Sequence, residues 1–158
     1  MTLEDRINRA SELFKSGYNC SQSVVAAFAD MYGFTEEQAL RMAASFGGGI
    51  GRMRETCGAA CGMFLLAGLE KGAVDGADRE GKAANYALVQ ELAAEFKKRN
   101  GSLNCGELLG LKKKAPVSSE PEVRTEQYYA KRPCSKMVEE AARIWAGNTD
   151  CKSPDGIK

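Results

Sequence analysis

Six cysteines are the residues of this chain whose type and spacing could carry chemistry. The 158-residue sequence contains no histidine, and its cysteines lie at positions 20, 57, 61, 105, 134 and 151. Without histidine the chain lacks the usual general base, any serine or cysteine triad that depends on it, and the commonest zinc ligand. Thiol chemistry is therefore the main candidate, either redox cycling or the binding of a soft metal.

Three of the cysteines share one local setting, the predicted start of a helix. Cys20 and Cys105 each follow an asparagine, a common N-cap residue, and Cys134 follows a proline, which is typical of a first helical turn. Unpaired backbone N–H groups and the helix dipole favour a thiolate at such a position, so we expect lowered pKa values. The alternative is that each thiol is a small apolar core residue.

Cys57 lies in a different setting, directly after a glycine-rich segment. The run 47–51 contains four glycines and predicts a loop, while Gly58, Ala59 and Gly62 keep side-chain bulk away from the sulfur. These small residues could admit a bound group close to the backbone. They could equally let two helices pack tightly, and both interpretations stay open here.

Two arginines and a further cysteine flank Cys57. Arg52 and Arg54 precede it and could favour its thiolate or pair with an anionic ligand, so a lowered pKa is expected at Cys57 as well. Cys61 lies four residues after Cys57, on the same helical face, and could be a second ligand, a resolving thiol or a core residue. Its more apolar surroundings predict a raised pKa.

The periodicity of apolar residues predicts an all-α fold, a compact bundle of about six to seven helices. Apolar residues recur every three or four positions, glycines mark helix ends, and no β-alternation of useful length occurs. The predicted helices cover about 3–16, 20–32, 36–46, 52–71, 75–100, 105–109 and 133–147. We expect the cysteine-bearing helix N-termini to converge on one site.

The length and the 44% hydrophobic content predict one folded domain over residues 1–148. Residues 112–132 hold two prolines and many charges, and they predict a surface loop or extended strap. Residues 149–158 predict a flexible tail.

Charge and hydropathy restrict the expected partners. Twenty-two basic and 21 acidic residues give a net charge of +1, which argues against nucleic acid as a partner. The N-terminus has no signal-peptide pattern and the longest apolar run, Met63 to Leu69, is too short to span a bilayer, so we expect a cytoplasmic protein without membrane insertion. Thiols are kept reduced there, which favours redox or metal-binding cysteines over structural disulfides. The small-residue faces would allow a homodimer.

The cysteine pattern resembles the redox-active family named after its C_GCAxxG_C_C arrangement, which has four cysteines and a CGAxxG motif. The resemblance spans roughly residues 10–140, and the matching residues are Cys20, Cys57, Gly58, Ala59, Gly62, Cys105 and Cys134. It implies redox activity carried by the four cysteines. Cys61 occupies a variable position of the motif and Cys151 lies outside it, so neither inherits a role.

The leading hypothesis is a small redox protein, an oxidoreductase or electron carrier with an unidentified redox partner. Its candidate catalytic thiols are Cys20, Cys57, Cys105 and Cys134, and its candidate cofactor-binding residues are Arg52, Gly58, Ala59 and Gly62. The four thiols would either cycle through disulfides without a cofactor or hold an iron–sulfur cluster or another soft metal. The alternative is a non-enzymatic metal-sensing or transport-associated binding module with structural cysteines.

Overall fold

The computed structural model describes residues 1–113 and 115–149, and over these residues the regular secondary structure is helical, with no β-strand. The prediction of an all-α fold is confirmed, with eight α-helices and two short 3-10 helices, Ala29–Tyr32 and Ala44–Phe46, in the described chain. The α-helices are α1 (Leu3–Lys15), α2 (Cys20–Ala26), α3 (Glu36–Ala43), α4 (Gly58–Lys71), α5 (Arg79–Asn100), α6 (Cys105–Leu108), α7 (Glu126–Lys131) and α8 (Cys134–Asn148).

The helix boundaries follow local signals in the sequence. Thr35 caps α3: its hydroxyl accepts the Gln38 N–H at 3.1 Å, and the Gln38 side chain accepts the Thr35 N–H at 2.9 Å. Gly33 and Gly101 follow helices in the left-handed conformation, with φ of 81° and 91°. These signals fix where the chain turns, and hence where each cysteine stands along its helix.

The core joins the helices that carry the cysteines. Helix α2 packs against α1, α3, α4 and α8, while α5 packs against α4 and α8. The largest fully buried side chains include Phe14, Phe28, Met63, Phe96 and Trp145. Burying a side chain of this kind stabilises the fold by about 1.5–3 kcal/mol. The N-termini of α2, α4 and α8 are therefore held in fixed relative positions.

Helix α4 begins later than the sequence predicts. We expected it from about residue 52, but it starts at Gly58, with Cys57 as its N-cap residue. The reason is backbone conformation: Ile50, Arg52 and Arg54 have φ of 65°, 61° and 62°, which no right-handed helix accepts.

Two further expectations need correction. The predicted strap 112–132 is irregular over much of its described length, but it contains α7, which the Thr125 side chain caps by accepting the Tyr128 N–H at 3.2 Å. Thr149, assigned to a flexible tail, is completely buried and its hydroxyl donates to Glu70. The rest of the predicted tail, including Cys151, lies outside the described residues.

Within residues 1–113 and 115–149, none of the helices has both the length and the apolar character needed to cross a membrane.

Gly62 provides a test of the packing between α2 and α4. A Cβ at Gly62 would lie 2.9 Å from the Val24 Cβ on α2, whereas a Cβ at Gly68, on the exposed side of the same helix, would meet nothing within 4 Å. Each glycine-to-alanine change gains up to about 1 kcal/mol of helix propensity. At Gly62 overpacking costs about 1–3 kcal/mol, so Gly62→Ala lowers the free energy of unfolding.

Urea unfolding of the two variants measures the difference. Gly68→Ala is the matched control and raises the free energy of unfolding by up to about 1 kcal/mol. An equal increase in both variants would show that α2 and α4 are not in tight contact at Gly62.

Candidate functional site

The four candidate cysteines line one cavity of about 420 Å³. Cys20, Cys105 and Cys134 are each the first residue of their helices, and Cys57 is the N-cap residue of α4. The predicted convergence of helix N-termini on one site is thus confirmed. Gly58 and Arg52 also line the cavity, together with the strap.

A capping box fixes Cys20 at the start of α2. The Asn19 side chain accepts the Gln22 N–H at 2.9 Å, and the Gln22 side chain accepts the Asn19 N–H at 3.1 Å. The same Asn19 side chain donates to the Ala44 carbonyl at 3.0 Å, which ties this helix start to the segment before the glycine run. Cys20 therefore keeps a fixed place on the cavity wall.

A left-handed run of backbone, residues 48–52, forms the side of the cavity between α3 and α4. All five residues have positive φ, between 55° and 70°. Hydrogen bonds close the run, including Gly51 N–H to the Ser45 carbonyl at 2.7 Å and Glu55 N–H to the Gly49 carbonyl at 2.9 Å. The chain thereby reverses just before Cys57.

Two short backbone contacts then join Cys57 to Cys105. Thr56 and Asn104 form an isolated antiparallel bridge. The Cys57 N–H donates to the Leu103 carbonyl at 2.7 Å, and the Cys105 N–H donates to the Glu55 carbonyl at 2.6 Å. These two thiols reach the cavity from neighbouring pieces of backbone.

Glycine is required where the left-handed run touches the cysteine-bearing segments. A Cβ on Gly49 would lie 2.5 Å from the Cys105 Cβ, and a Cβ on Gly47 would lie 2.5 Å from the Asn19 side chain. A Cβ on Gly58 would lie 2.7 Å from the Phe46 carbonyl oxygen. These three glycines therefore make room for other atoms of the protein, namely side chains at Gly47 and Gly49 and a backbone carbonyl at Gly58.

The strap forms the remaining wall. Arg124 donates to the Phe14 and Tyr18 carbonyls at 2.8 and 3.0 Å, and its guanidinium lies 4.3 Å from the centre of the Phe14 ring. The Tyr129 hydroxyl donates to the Lys15 carbonyl at 3.1 Å. These contacts anchor α7 and the segment before it to the C-terminal end of α1.

Cys20 and Cys134 line the same cavity, and their interaction moves their two pKa values apart. The interaction with the Cys20 thiol lowers the pKa of Cys134 to about 7, with help from the nearby charges of Arg132, Arg124 and Arg54 and against the effect of burial. The same interaction and burial raise the pKa of Cys20 well above its ordinary range. The pair therefore loses its first proton from Cys134, while Cys20 keeps its own.

The other thiols of the described chain are held protonated. Burial raises the pKa of Cys57 to about 12, although the Ala60 and Ala59 N–H groups act in the opposite direction. Burial also raises the pKa of Cys105, against a hydrogen bond from Arg54. The expected lowering at these two helix starts is therefore wrong, because burial there outweighs the helix N-terminus. It is also wrong at Cys20, where the interaction with Cys134 and burial raise the pKa together. Burial raises the pKa of Cys61 to about 11, as predicted.

All five described cysteines are free thiols. Among residues 1–113 and 115–149, no group of three or more cysteine, aspartate or glutamate side chains is arranged to hold a metal ion.

The comparison with protein families agrees with this cysteine pattern. Residues 18–147 match the family described as "Putative redox-active protein (C_GCAxxG_C_C)". The chain belongs to this family. No curated protein and no solved structure matches the chain.

Other motif residues of the C_GCAxxG_C_C protein support the site from behind the cavity wall. Ala59 is fully buried, and its N–H lowers the pKa of Cys57 against the effect of burial. Gly62 lies against Val24 and Ser21 of α2 rather than on the wall. Cys61 also lies off the wall, and its thiol donates to the Thr56 carbonyl at 3.8 Å.

Sequence reasoning missed the basic residues that the strap of this C_GCAxxG_C_C protein brings to the site. Arg124 and Arg132 line the cavity and lower the pKa of Cys134. Both lie in the segment 112–132, whose charges predict a surface loop or strap, and no local spacing relates Arg124 to a cysteine. The one available signal was that Arg132 lies two residues before Cys134.

The interaction between Cys20 and Cys134 can be tested by removing the Cys20 thiol. In Cys20→Ala the Cys134 thiolate loses the donor that stabilises it most, so the pKa of Cys134 rises from about 7. Cys20→Ser keeps a hydroxyl donor and keeps the pKa of Cys134 low. The measurement is the pH dependence of iodoacetamide alkylation at Cys134, resolved by mass spectrometry. An unchanged midpoint in Cys20→Ala would mean that the arginines alone set this pKa.

Proposed function

We propose that this protein is a thiol oxidoreductase in which Cys134 attacks and Cys20 resolves. The observation that carries the proposal is that Cys20 and Cys134 begin two helices that meet on one cavity, with their pKa values shifted in opposite directions by their interaction. A pKa of about 7 leaves roughly half of Cys134 as thiolate at neutral pH, and thiols with a pKa near the ambient pH attack disulfides best.

The reaction is a two-step thiol–disulfide exchange. The Cys134 thiolate attacks one sulfur of a substrate disulfide, and the other substrate sulfur leaves as a thiolate. Cys20 then loses its proton and attacks the Cys134 sulfur of the mixed disulfide, which releases the second substrate thiolate. The two substrate thiolates take up one proton from Cys20 and one from the solvent, so the substrate gains two electrons and leaves as two thiols, and the protein is left with a Cys20–Cys134 disulfide.

The interaction between the two thiols also explains how Cys20 is activated at the right step. Its raised pKa comes from donating to the Cys134 thiolate, from burial and from the charge on Cys134. When Cys134 enters the mixed disulfide, its negative charge is gone and two of these causes disappear. The pKa of Cys20 falls, so the resolving thiol ionises only after the first attack has occurred.

Cys57 and Cys105 provide a second pair of thiols on the same cavity. Their raised pKa values keep them protonated while Cys134 reacts. In this proposal they exchange with the Cys20–Cys134 disulfide more slowly and extend the capacity of the site to four electrons. Arg52 and Gly58 are wall residues, while Ala59 and Gly62 act through position and packing.

Metal ligation by the same four thiolates is the second candidate, favoured by their placement on one cavity. Thiolate sulfur suits an iron–sulfur cluster or another soft metal. The side chains as they stand do not fit such a group, since the described residues contain no three-ligand arrangement. No step of the mechanism is therefore assigned to it.

The chemistry requires a reduced starting state. Thiols are maintained by glutathione and thioredoxin systems in the cytoplasm, and we propose that compartment for this protein.

Disulfide mapping after controlled oxidation tests the proposal. Protein purified anaerobically is equilibrated in dithiothreitol redox buffers, and the disulfides are identified by peptide mass spectrometry. We expect Cys20–Cys134 to form first, and the variants Cys20→Ser and Cys134→Ser to lose it. Cys61→Ala is the matched control and retains it, because Cys61 lies off the cavity wall.

Two results would contradict the proposal. One is an oxidised protein in which Cys20 and Cys134 are not linked to each other. The other is anaerobically purified protein that contains iron and shows thiolate-to-metal charge-transfer absorption, which would favour the second candidate.

A further inference from the structure

We propose that the substrate is a small anionic disulfide whose negative group binds Arg54 inside the cavity. This inference rests on the proposed thiol oxidoreductase function and names its substrate class. The wall of the cavity is positively charged, since the described lining residues include four arginines and a single carboxylate, that of Glu122. The chain as a whole carries only +1, so the positive charge is concentrated at the cysteines.

Three of the four arginines already have oxygen partners in the protein. Arg132 pairs with Glu122, and Arg52 donates to the Ser118 carbonyl at 2.6 Å. Arg124 donates to two carbonyls of the α1 end, as described above. These contacts hold the strap in place and leave these side chains less free to bind a ligand.

Arg54 differs from the other three. Its side-chain contact in the described structure is a long one, from Nη1 to the Cys105 sulfur at 3.6 Å, and no carboxylate of the described chain pairs with it. The side chain is half-buried on the cavity wall. A guanidinium in this state offers a bidentate site for a carboxylate or a similar oxyanion.

Arg54 lies where an anion bound to it would be presented to the reactive sulfur. Its guanidinium lies 3.6 Å from the Cys105 sulfur and lines the same cavity as Cys134, and its charge lowers the pKa of both thiols. A substrate held by its anionic group at Arg54 would place its sulfur atoms against Cys134. The positive wall would also stabilise the thiolate that leaves in each step.

Burial and size favour a small molecule over a protein disulfide. Cys20, Cys57 and Cys105 are between 5% and 9% exposed and the attacking Cys134 is half-buried, so a disulfide must enter the cavity to react with all of them. The cavity of about 420 Å³ lies within the range of small-molecule sites. Leu108, Leu109 and Met137 on the same wall provide apolar surface for the carbon and sulfur part of the ligand.

The overall reaction balances with this substrate as the oxidant. The anionic disulfide takes two electrons from Cys20 and Cys134 and leaves as two anionic thiols, and each new S–H takes one proton. The protein gains one S–S bond as the substrate loses one.

Three disulfide reagents of different charge test the inference on the full-length reduced protein. They are the dianionic 5,5′-dithiobis(2-nitrobenzoate), the neutral 4,4′-dithiodipyridine and the dicationic cystamine. Rates are measured by stopped flow at low salt, and each is divided by the rate of the neutral thiol 2-mercaptoethanol with the same reagent. We expect the normalised rate to be at least about tenfold higher for the dianion than for the dication, and the preference to shrink with added salt.

Variants of Arg54 assign the preference to one side chain. Arg54→Gln should lose most of the dianion preference. Its rate with the neutral reagent should change much less, and this rate also reports any change in the ionisation of Cys134. Arg54→Lys keeps the charge and should keep most of the preference. The matched control is Arg41→Gln, which removes an exposed arginine paired with Glu37 on α3.

The outcomes separate this inference from the proposed function. If the neutral reagent yields the Cys20–Cys134 disulfide but the dianion and dication react alike, the function stands and the substrate class is wrong. If Arg54→Gln keeps the full preference, the assignment to Arg54 is wrong. If no reagent yields that disulfide, the proposed function itself fails. Circular dichroism confirms that each variant is folded.

Discussion

The left-handed run at residues 48–52 is the constraint on which the site depends. It reverses the chain so that the backbone around Cys57 can pair with the backbone around Cys105. Ile50 and Arg52 adopt this conformation with side chains attached, at a cost of about 1–2 kcal/mol each. Hydrogen bonds within the run offset part of that cost, and the glycines around it allow the close contacts with neighbouring segments. A right-handed continuation of α4 would leave Cys57 away from the cavity.

The parts of the site that were predictable from the sequence are those set by local spacing. An asparagine before Cys20 or Cys105 defines a helix start from four or five residues, and the structure contains both starts. The left-handed run was recognised only as a loop, because its handedness depends on contacts with residues far along the chain. Arg124 meets Phe14 across 110 positions of sequence, and no local pattern encodes such a contact.

The predicted lowering of the thiol pKa values is wrong at most of the helix starts because it includes the helix dipole but not burial. A helix N-terminus contributes about 0.3–1 kcal/mol, which is less than one pKa unit. Full burial moves a pKa by up to several units in the opposite direction. Burial raises the pKa of Cys57. At Cys134 the interaction with Cys20 and the charges of three guanidinium groups together outweigh burial, so the pKa is lowered. The sequence shows which thiols stand at helix starts, but not which of them keeps a charged neighbour.

The arginines around Cys134 repel one another, so the fold must hold them in place by other means. Arg124 donates hydrogen bonds to carbonyl oxygens at the C-terminal end of α1, and Arg132 forms an ion pair with Glu122. Arg54 is held by its place in the strained backbone before Cys57 rather than by an acidic partner. The positive field is therefore present before any anion arrives, and ionising Cys134 relieves part of the repulsion. The same field that makes the thiolate available also selects the charge of what can approach it.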